Sequence, residues 1–297
     1  AALIGVAKRF GCKTLLTAHD YKIVCPSYTM LRDGHVCDDC LTGSVSNAFR
    51  HRCQQGDTFK SLLLSLEAYW QKFAQNYAML DCIIAPSEFM RQTLLRKLPR
   101  SRIETIVNGI DASATIPGDT AGDYFLYIGR LSREKGVATL ALAQQKMQQS
   151  MPLKIVGDGP LGSDLRARFS GPEFLGYMRH GEALNALIRG ARAVIVPSEY
   201  YENCSMSVLE AMAFGRPVVG GNIGGIPEQI RDGIDGYLVE PGDADALARI
   251  MDSLAANPQQ AREMGINARQ RLEEKCDLAR HMQVLQELYQ QLVGEAK

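Results

Sequence analysis

The chain has 297 residues, 46% of them hydrophobic, enough for a substantial core in two domains or one large one. Lysine plus arginine and aspartate plus glutamate stand at 33 each, which argues against a general nucleic-acid binder. No run reaches the ~18 apolar residues of a membrane span, and the residues present show no signal-peptide pattern.

The opening AALIGVAKRFGC lacks a methionine and reads as the inside of a helix, so a fragment without its true N-terminus is expected. In chain order the expected strands are KTLLTA (13–18), DCIIAP (81–86), RIETIV (102–107), YFLYIG (124–129), LKIVG (153–157), PEFLG (172–176), AVIVP (193–197), PVVGG (217–221) and GYLVE (236–240). Most are short apolar runs bounded by Gly, Pro or Asp, the pattern of parallel strands buried on both faces. Helices are expected at 58–79, 87–97, 136–149, 180–190, 206–214, 243–256, 259–274 and 278–293. This alternation predicts an α/β fold of doubly wound layers with right-handed crossovers. ASATIPGDTAGD (112–123) is aperiodic and rich in small residues, and reads as a linker. It divides residues 1–111, poor in strands, from residues 124–276, which read as a complete doubly wound domain; a last helix lies in 277–297.

Before the linker, Cys25, Cys37, Cys40 and Cys53 follow one another as C-x11-C-x2-C-x12-C in a loop-like stretch. Such a set can build a tetrahedral structural zinc site, pair as a disulfide or remain free thiols. Cys12, Cys82, Cys204 and Cys276 are scattered, as small packed residues are. Eight cysteines in a chain of enzyme-like composition read as reduced and cytoplasmic. The helix at 58–79 is amphipathic, and either packs on the sheet or lines an acceptor pocket. Arg91, Arg96, Lys97, Arg100 and Arg102 form a basic cluster. It is either a solvated helix end or a contact for anionic lipid at the inner face of a membrane.

After the linker the residues suit anions. Arg130 follows a strand directly and Lys135 precedes the next helix, so both can point into a crevice at the strand ends, where a diphosphate needs cations. In SEYYENCSMSVLEAMAF, Glu202 falls in a loop and Glu210 on the following helix, with Ser205 as a candidate N-cap. Backbone N–H groups around Cys204, Ser205 and Met206 would then face phosphate or sugar. A carboxylate such as Glu210, within the otherwise apolar VLEAMAF, suits paired hydroxyls. Gly157, Gly159 and Gly162 fit G-x-G-x-x-G, the dinucleotide fingerprint. Against that reading, Pro160 fits a helix start, and the motif follows the domain's second strand. Gly224–Gly225 before IPEQI is another Gly-to-helix start, and Asp243-x-Asp245 is explained by helix capping.

Together FLYIGRLSREKG, IVGDGP, PSEYYENCSMSVLEAMAFGRPVV and GGIPEQIRDGIDGYLVEPGD resemble the donor-binding domain of the GT-B glycosyltransferases of family 4, densely over 103–293 and more loosely to HDYKIVCP at 19–26. The resemblance implies two Rossmann-like domains facing a cleft, the N-terminal one incomplete here. It implies a retaining hexosyltransferase that needs no metal and draws on a nucleotide diphosphate sugar, such as a UDP- or GDP-hexose. It assigns Arg130 and Lys135 to the diphosphate, Glu202 to the donor sugar and Glu210 to the ribose. It assigns the backbone of Cys204–Met206 to sugar and phosphate, and Tyr177 to the neighbourhood of the base. Gly129 would allow close backbone approach, and His19 would face the transferred sugar. The family commonly has Gly and an aromatic after the first Glu; here they are Asn203 and Cys204, so the donor-sugar fit differs.

In the front-face scheme proposed for retaining members, the leaving phosphate oxygen takes the acceptor proton, and no protein base is named. The acceptor implied is a glycan or a lipid-linked one, in polysaccharide, lipopolysaccharide or glycolipid synthesis. Two other readings stay open from the residues: a nicotinamide-linked oxidoreductase, and a sugar- or nucleotide-binding module without catalysis.

Overall fold

A computed structural model describes residues 2–118 and 122–294 of the chain, so residues 119–121 of the expected linker lie outside the described residues. The chain divides into two units, 1–107 with 281–297, and 108–280.

In the first unit, strands Leu15–Thr17, Cys82–Ala85 and Ile103–Thr105 form a parallel sheet with Cys82–Ala85 at its centre. Every residue of that central strand is buried, as its continuous apolar run requires. Cys82, Ile84 and Ile106 pack against Leu288 and Leu292 of the last helix, Leu278–Gly294. Helix Glu88–Leu95 starts at Ser87, whose Oγ accepts from the Met90 N–H at 3.2 Å. The four-cysteine stretch holds more order than expected. Leu31–Arg32 and His35–Val36 pair antiparallel, and short helices Asp39–Thr42 and Asn47–Arg50 follow. Asp33 and Gly34 turn that hairpin with φ values of 53° and 81°, the left-handed pair that a tight hairpin turn requires. The helix expected at 58–79 spans Thr58–Phe73, capped by the Asp57 carboxylate. It ends where Gln75 enters the left-handed region.

The second unit is a six-stranded, all-parallel sheet. Its order across the sheet is Gly236–Val239, Val218–Gly221, Ala193–Val196, Phe125–Ile128, Leu153–Val156, Glu173–Gly176. The core packs Phe125, Tyr127, Ile155 and Ile195 under Leu140 and Met251, residues of helices Val137–Lys146 and Ala244–Ala256.

The unit boundaries fall at 107/108 and 280/281, where the sequence suggested 111/112 and 276/277. The reason is local pairing: the Ile110 N–H donates to Cys276 O at 2.9 Å, and the Leu278 N–H donates to Ile110 O at 3.1 Å. The expected linker is likewise no free tether over 112–118. The Gly118 N–H donates to Phe214 O at 3.0 Å, and Arg269 donates to Ala112 O and Thr115 Oγ1, each at 2.6 Å. Among the described residues no helix is long and apolar enough to cross a membrane.

Candidate functional site

In an open parallel sheet, ligands settle beyond the carboxyl ends of the strands where the winding direction reverses. In the second unit that point lies between Phe125–Ile128 and Ala193–Val196, which pair while their successors run to opposite edges. The loop of Arg130 and Lys135 leaves the first strand, and the loop of Ser198–Glu202 leaves the second. Topology alone therefore joins two segments distant in sequence.

Glycines set how closely the loops meet. Gly136 has φ 67°, and a Cβ there would lie 1.8 Å from Pro197 O. Beside it the Glu199 N–H donates to Glu134 O at 2.8 Å. Gly224, at φ 63°, lets its own loop pass Glu202, whose carbonyl oxygen a Cβ would meet at 2.4 Å. The Gly225 N–H then donates to that same oxygen at 2.7 Å.

At the centre, Lys135 Nζ donates to Glu202 Oε1 at 2.7 Å and to the Tyr200 hydroxyl at 2.9 Å. Its ammonium also lies 4.8 Å from the Tyr200 ring centroid. Ser198 Oγ donates to Glu202 Oε1 at 2.8 Å, and the Tyr200 hydroxyl donates to Oε2 at 2.9 Å. Glu202 is buried, and these partners offset the desolvation of its charge. Burial, and then the charge of Glu202, raise the Tyr200 phenol well above its ordinary value, so Tyr200 acts as a neutral donor. Tyr127 is raised in the same way, and its hydroxyl fixes the Arg130 carbonyl at 2.8 Å. The Arg130 side chain is exposed and makes no ion pair among the described residues.

Glu210 lies on helix Met206–Ala213. Burial raises its carboxyl above the ordinary range, and His180 opposes the rise from 3.8 Å. No hydrogen bond reaches that carboxylate among the described residues.

The helix start differs from expectation. Ser205 occupies the N-cap position with extended backbone, but its side chain makes no cap bond. Its N–H donates to Gln229 Oε1 at 2.9 Å, and Gln229 Nε2 donates back to Ser205 O at 3.1 Å. The Ser205 N–H is thus used inside the protein, and the expected cradle narrows to Cys204 and Met206. The Cys204 thiol is pushed up to about 12 by burial and is no nucleophile.

Gly129 is approached by its own neighbours: a Cβ on Gly157 would lie 1.9 Å from Gly129 O, and one on Gly159 would lie 2.5 Å from Leu131 O. The G-x-G-x-x-G glycines therefore seat one loop against another. Tyr177 is exposed, just beyond the Glu173–Gly176 strand and outside the Lys135–Glu202 cluster. His19 belongs to the first unit, exposed and just past the Leu15–Thr17 strand.

Cys25, Cys37, Cys40 and Cys53 are free thiols. Burial, reinforced by neighbouring thiols, pushes Cys40 to about 12 and Cys53 to about 11. Among the described residues no group of three or more His, Cys, Asp or Glu is arranged to hold a metal ion.

Ser198, Tyr200 and Gln229 escape the sequence reading. The first two could have been suspected from their place in the Glu202 loop; Gln229 carries no local signal.

The comparisons with known proteins bear on the family and the fold. The family "Glycosyl transferases group 1" matches residues 114–271, and "Glycosyltransferase Family 4" matches residues 2–114. The chain is 29% identical over 246 residues to the alpha-maltose-1-phosphate synthase of Mycolicibacterium smegmatis, covering 71% of this chain and 63% of that protein. It is 35% identical over 190 residues to the glycogen synthase of Mycobacterium tuberculosis, covering 60% of this chain and 45% of the relative. The chain thus spans less than two thirds of these relatives. Among solved structures, Anabaena Alr3699/HepE in complex with UDP superposes with a TM-score of 0.73 at 18% identity, over 97% of this chain and 75% of that one. Sucrose-phosphate synthase from Thermosynechococcus elongatus gives a TM-score of 0.73 at 23% identity, over 98% of this chain and 70% of that one.

Proposed function

The chain belongs to the glycosyl transferases group 1, and from that premise we propose that it forms the donor-binding part of a retaining, metal-independent hexosyltransferase. The donor is a nucleotide diphosphate sugar, and the acceptor is a glycan or a lipid-linked acceptor in the cytoplasm. The observation that carries this reading is the contact of Lys135 with Glu202 across the switch point of one sheet, on loops that also carry Arg130 and lead into the helix of Glu210.

Each group has work suited to its surroundings. Arg130, exposed and without an ion pair among the described residues, and Lys135 meet the diphosphate and stabilise the charge that grows as it leaves. Fixed cations and helix-start N–H groups at Cys204 and Met206 serve that charge without a metal. The carboxylate of Glu210, which accepts no hydrogen bond among the described residues, accepts from ribose hydroxyls, and Glu202 accepts from the hexose once Lys135 turns to phosphate. The solved Anabaena protein holds UDP in one complex and UDP-glucose in another, and that fold supports the choice of donor class. The relatives in glycogen, maltose-1-phosphate and O-antigen synthesis support a carbohydrate acceptor.

Calorimetric titration with UDP, GDP, ADP and NAD tests the reading, with Arg130→Ala as control. Micromolar binding of one nucleoside diphosphate, lost in the variant, is expected. Binding of NAD alone would replace this reading by an oxidoreductase.

A further inference from the structure

The helix Thr58–Phe73 is inverted. Phe59, Leu63, Leu66, Trp70 and Phe73 recur at i, i+4, i+7, i+11 and i+14, so they share one stripe. All five are exposed, from 49% at Leu63 to 82% at Phe73. The buried side carries Ser61 and Ser65 instead, whose hydroxyls donate to Asp57 O at 2.7 Å and Val45 O at 3.2 Å. A helix that served only the core of its own unit would carry the reverse pattern.

Beside this helix, within the first unit, opens a cavity of about 890 Å³. Lys22, Lys72, Arg96, Lys97 and Arg100 line it, and no Asp or Glu does. Lys22 is matched by Glu67 at 2.8 Å. The other four cations make no ion pair among the described residues, and Lys97 Nζ reaches only the Gly43 carbonyl, at 3.1 Å. Burial first, then Lys72 and Arg96, hold the Lys97 ammonium below its ordinary value, so these cations stand close enough to oppose one another. Tyr69 and Ser44 add hydroxyls to the wall, bonded to each other at 2.6 Å. Arg91 and Arg102, expected in the same basic cluster, are occupied elsewhere, by Glu88 at 2.8 Å and Glu104 at 3.0 Å.

We propose that this cavity binds the phosphate of an anionic lipid at a membrane surface, while the Phe59–Phe73 stripe enters the edge of the acyl layer. A free anion would account for the cations and leave the stripe bare. A second copy of the chain would cover the stripe and leave the cations without a counter-charge. A phosphate carried on an apolar tail satisfies both, and Tyr69 and Lys72 bring the two features together on one helix. The inference concerns the first unit alone and does not rest on the nucleotide-sugar reading.

Trp70 is the only tryptophan in the chain, so its fluorescence reports the stripe directly. The protein is titrated with phosphatidylcholine vesicles and with vesicles that also contain phosphatidylglycerol, at low and high salt. A blue shift confined to the anionic vesicles and weakened by salt is expected. Arg96→Gln with Lys97→Gln should lower vesicle affinity about thirtyfold, from two cations near the surface. Phe73→Ser should also lower it, and neither change should move the melting temperature. Several outcomes would overturn the proposal: no shift at low salt, equal affinity in the double variant, calorimetric binding of inorganic phosphate without vesicle binding, or a dimer that shields Trp70 without vesicle binding. UDP titration of the same preparation reads the donor site separately.

Discussion

Lys135 and Glu202 hold each other at 2.7 Å across the switch point of the six-stranded sheet. The cation assigned to phosphate is thus already committed to a buried carboxylate, and the two roles are coupled. Lys135→Ala removes the phosphate partner and also strands the Glu202 charge. Turnover should fall on the order of 10²–10³-fold. Stability should fall by about 1–3 kcal/mol, less than the ~3–5 kcal/mol of a fully buried broken pair because Lys135 is partly exposed. Adding Glu202→Gln should restore the melting temperature and leave turnover low. Recovery of both would mean that Lys135 acts only by neutralising Glu202.

Arg130 is the opposite case. Its side chain is exposed and makes no ion pair among the described residues, so Arg130→Ala should leave the melting temperature unchanged. Nucleoside diphosphate affinity should fall about ten- to hundredfold, from one charge-assisted contact. Calorimetry at two salt concentrations checks this. Equal affinities in the variant and the parent would remove Arg130 from the site.

The strands are legible in the sequence because a strand buried on both faces is a continuous apolar run, as in AVIVP and LKIVG. Strand order then follows from the pairing that places the Arg130 and Glu202 loops side by side. The hairpin at 31–36 carries its Asp33–Gly34 signal, but its two-residue strands are too short to show a period. The pairing of Lys135 with Glu202 spans 67 positions, and a single sequence holds no sign of it. The helix at 58–73 teaches another limit. Periodicity reveals a stripe of Phe59, Leu63, Leu66, Trp70 and Phe73, but not whether it faces inward.

Gly136 carries a prediction about assembly of the site. Its φ of 67° disfavours any residue with a side chain, and its Cβ would meet Pro197 O at 1.8 Å. Gly136→Ala should therefore cost more than about 1 kcal/mol. It should also shift Lys135, the preceding residue, so that diphosphate affinity falls together with stability. A variant that melts as the parent does would show that the loops relax freely.

Glu210 is poised between stability and binding. Burial raises its folded-state carboxyl above its ordinary 4.5, with His180 opposing. Above that ordinary value the folded protein holds more proton than the unfolded chain, so this group's contribution declines as pH rises through the raised value and is then constant. Glu210→Gln removes the decline. The ligand-free variant should melt higher than the parent at neutral pH, and the gap should close below pH 4.5. The same change leaves ribose hydroxyls without a charged acceptor, and diphosphate affinity should fall about ten- to hundredfold. Melting curves across pH, with calorimetry on the same protein, read both effects. A variant less stable at neutral pH would mean that the protein itself already satisfies the Glu210 charge, and the carboxylate would no longer be available to a ligand.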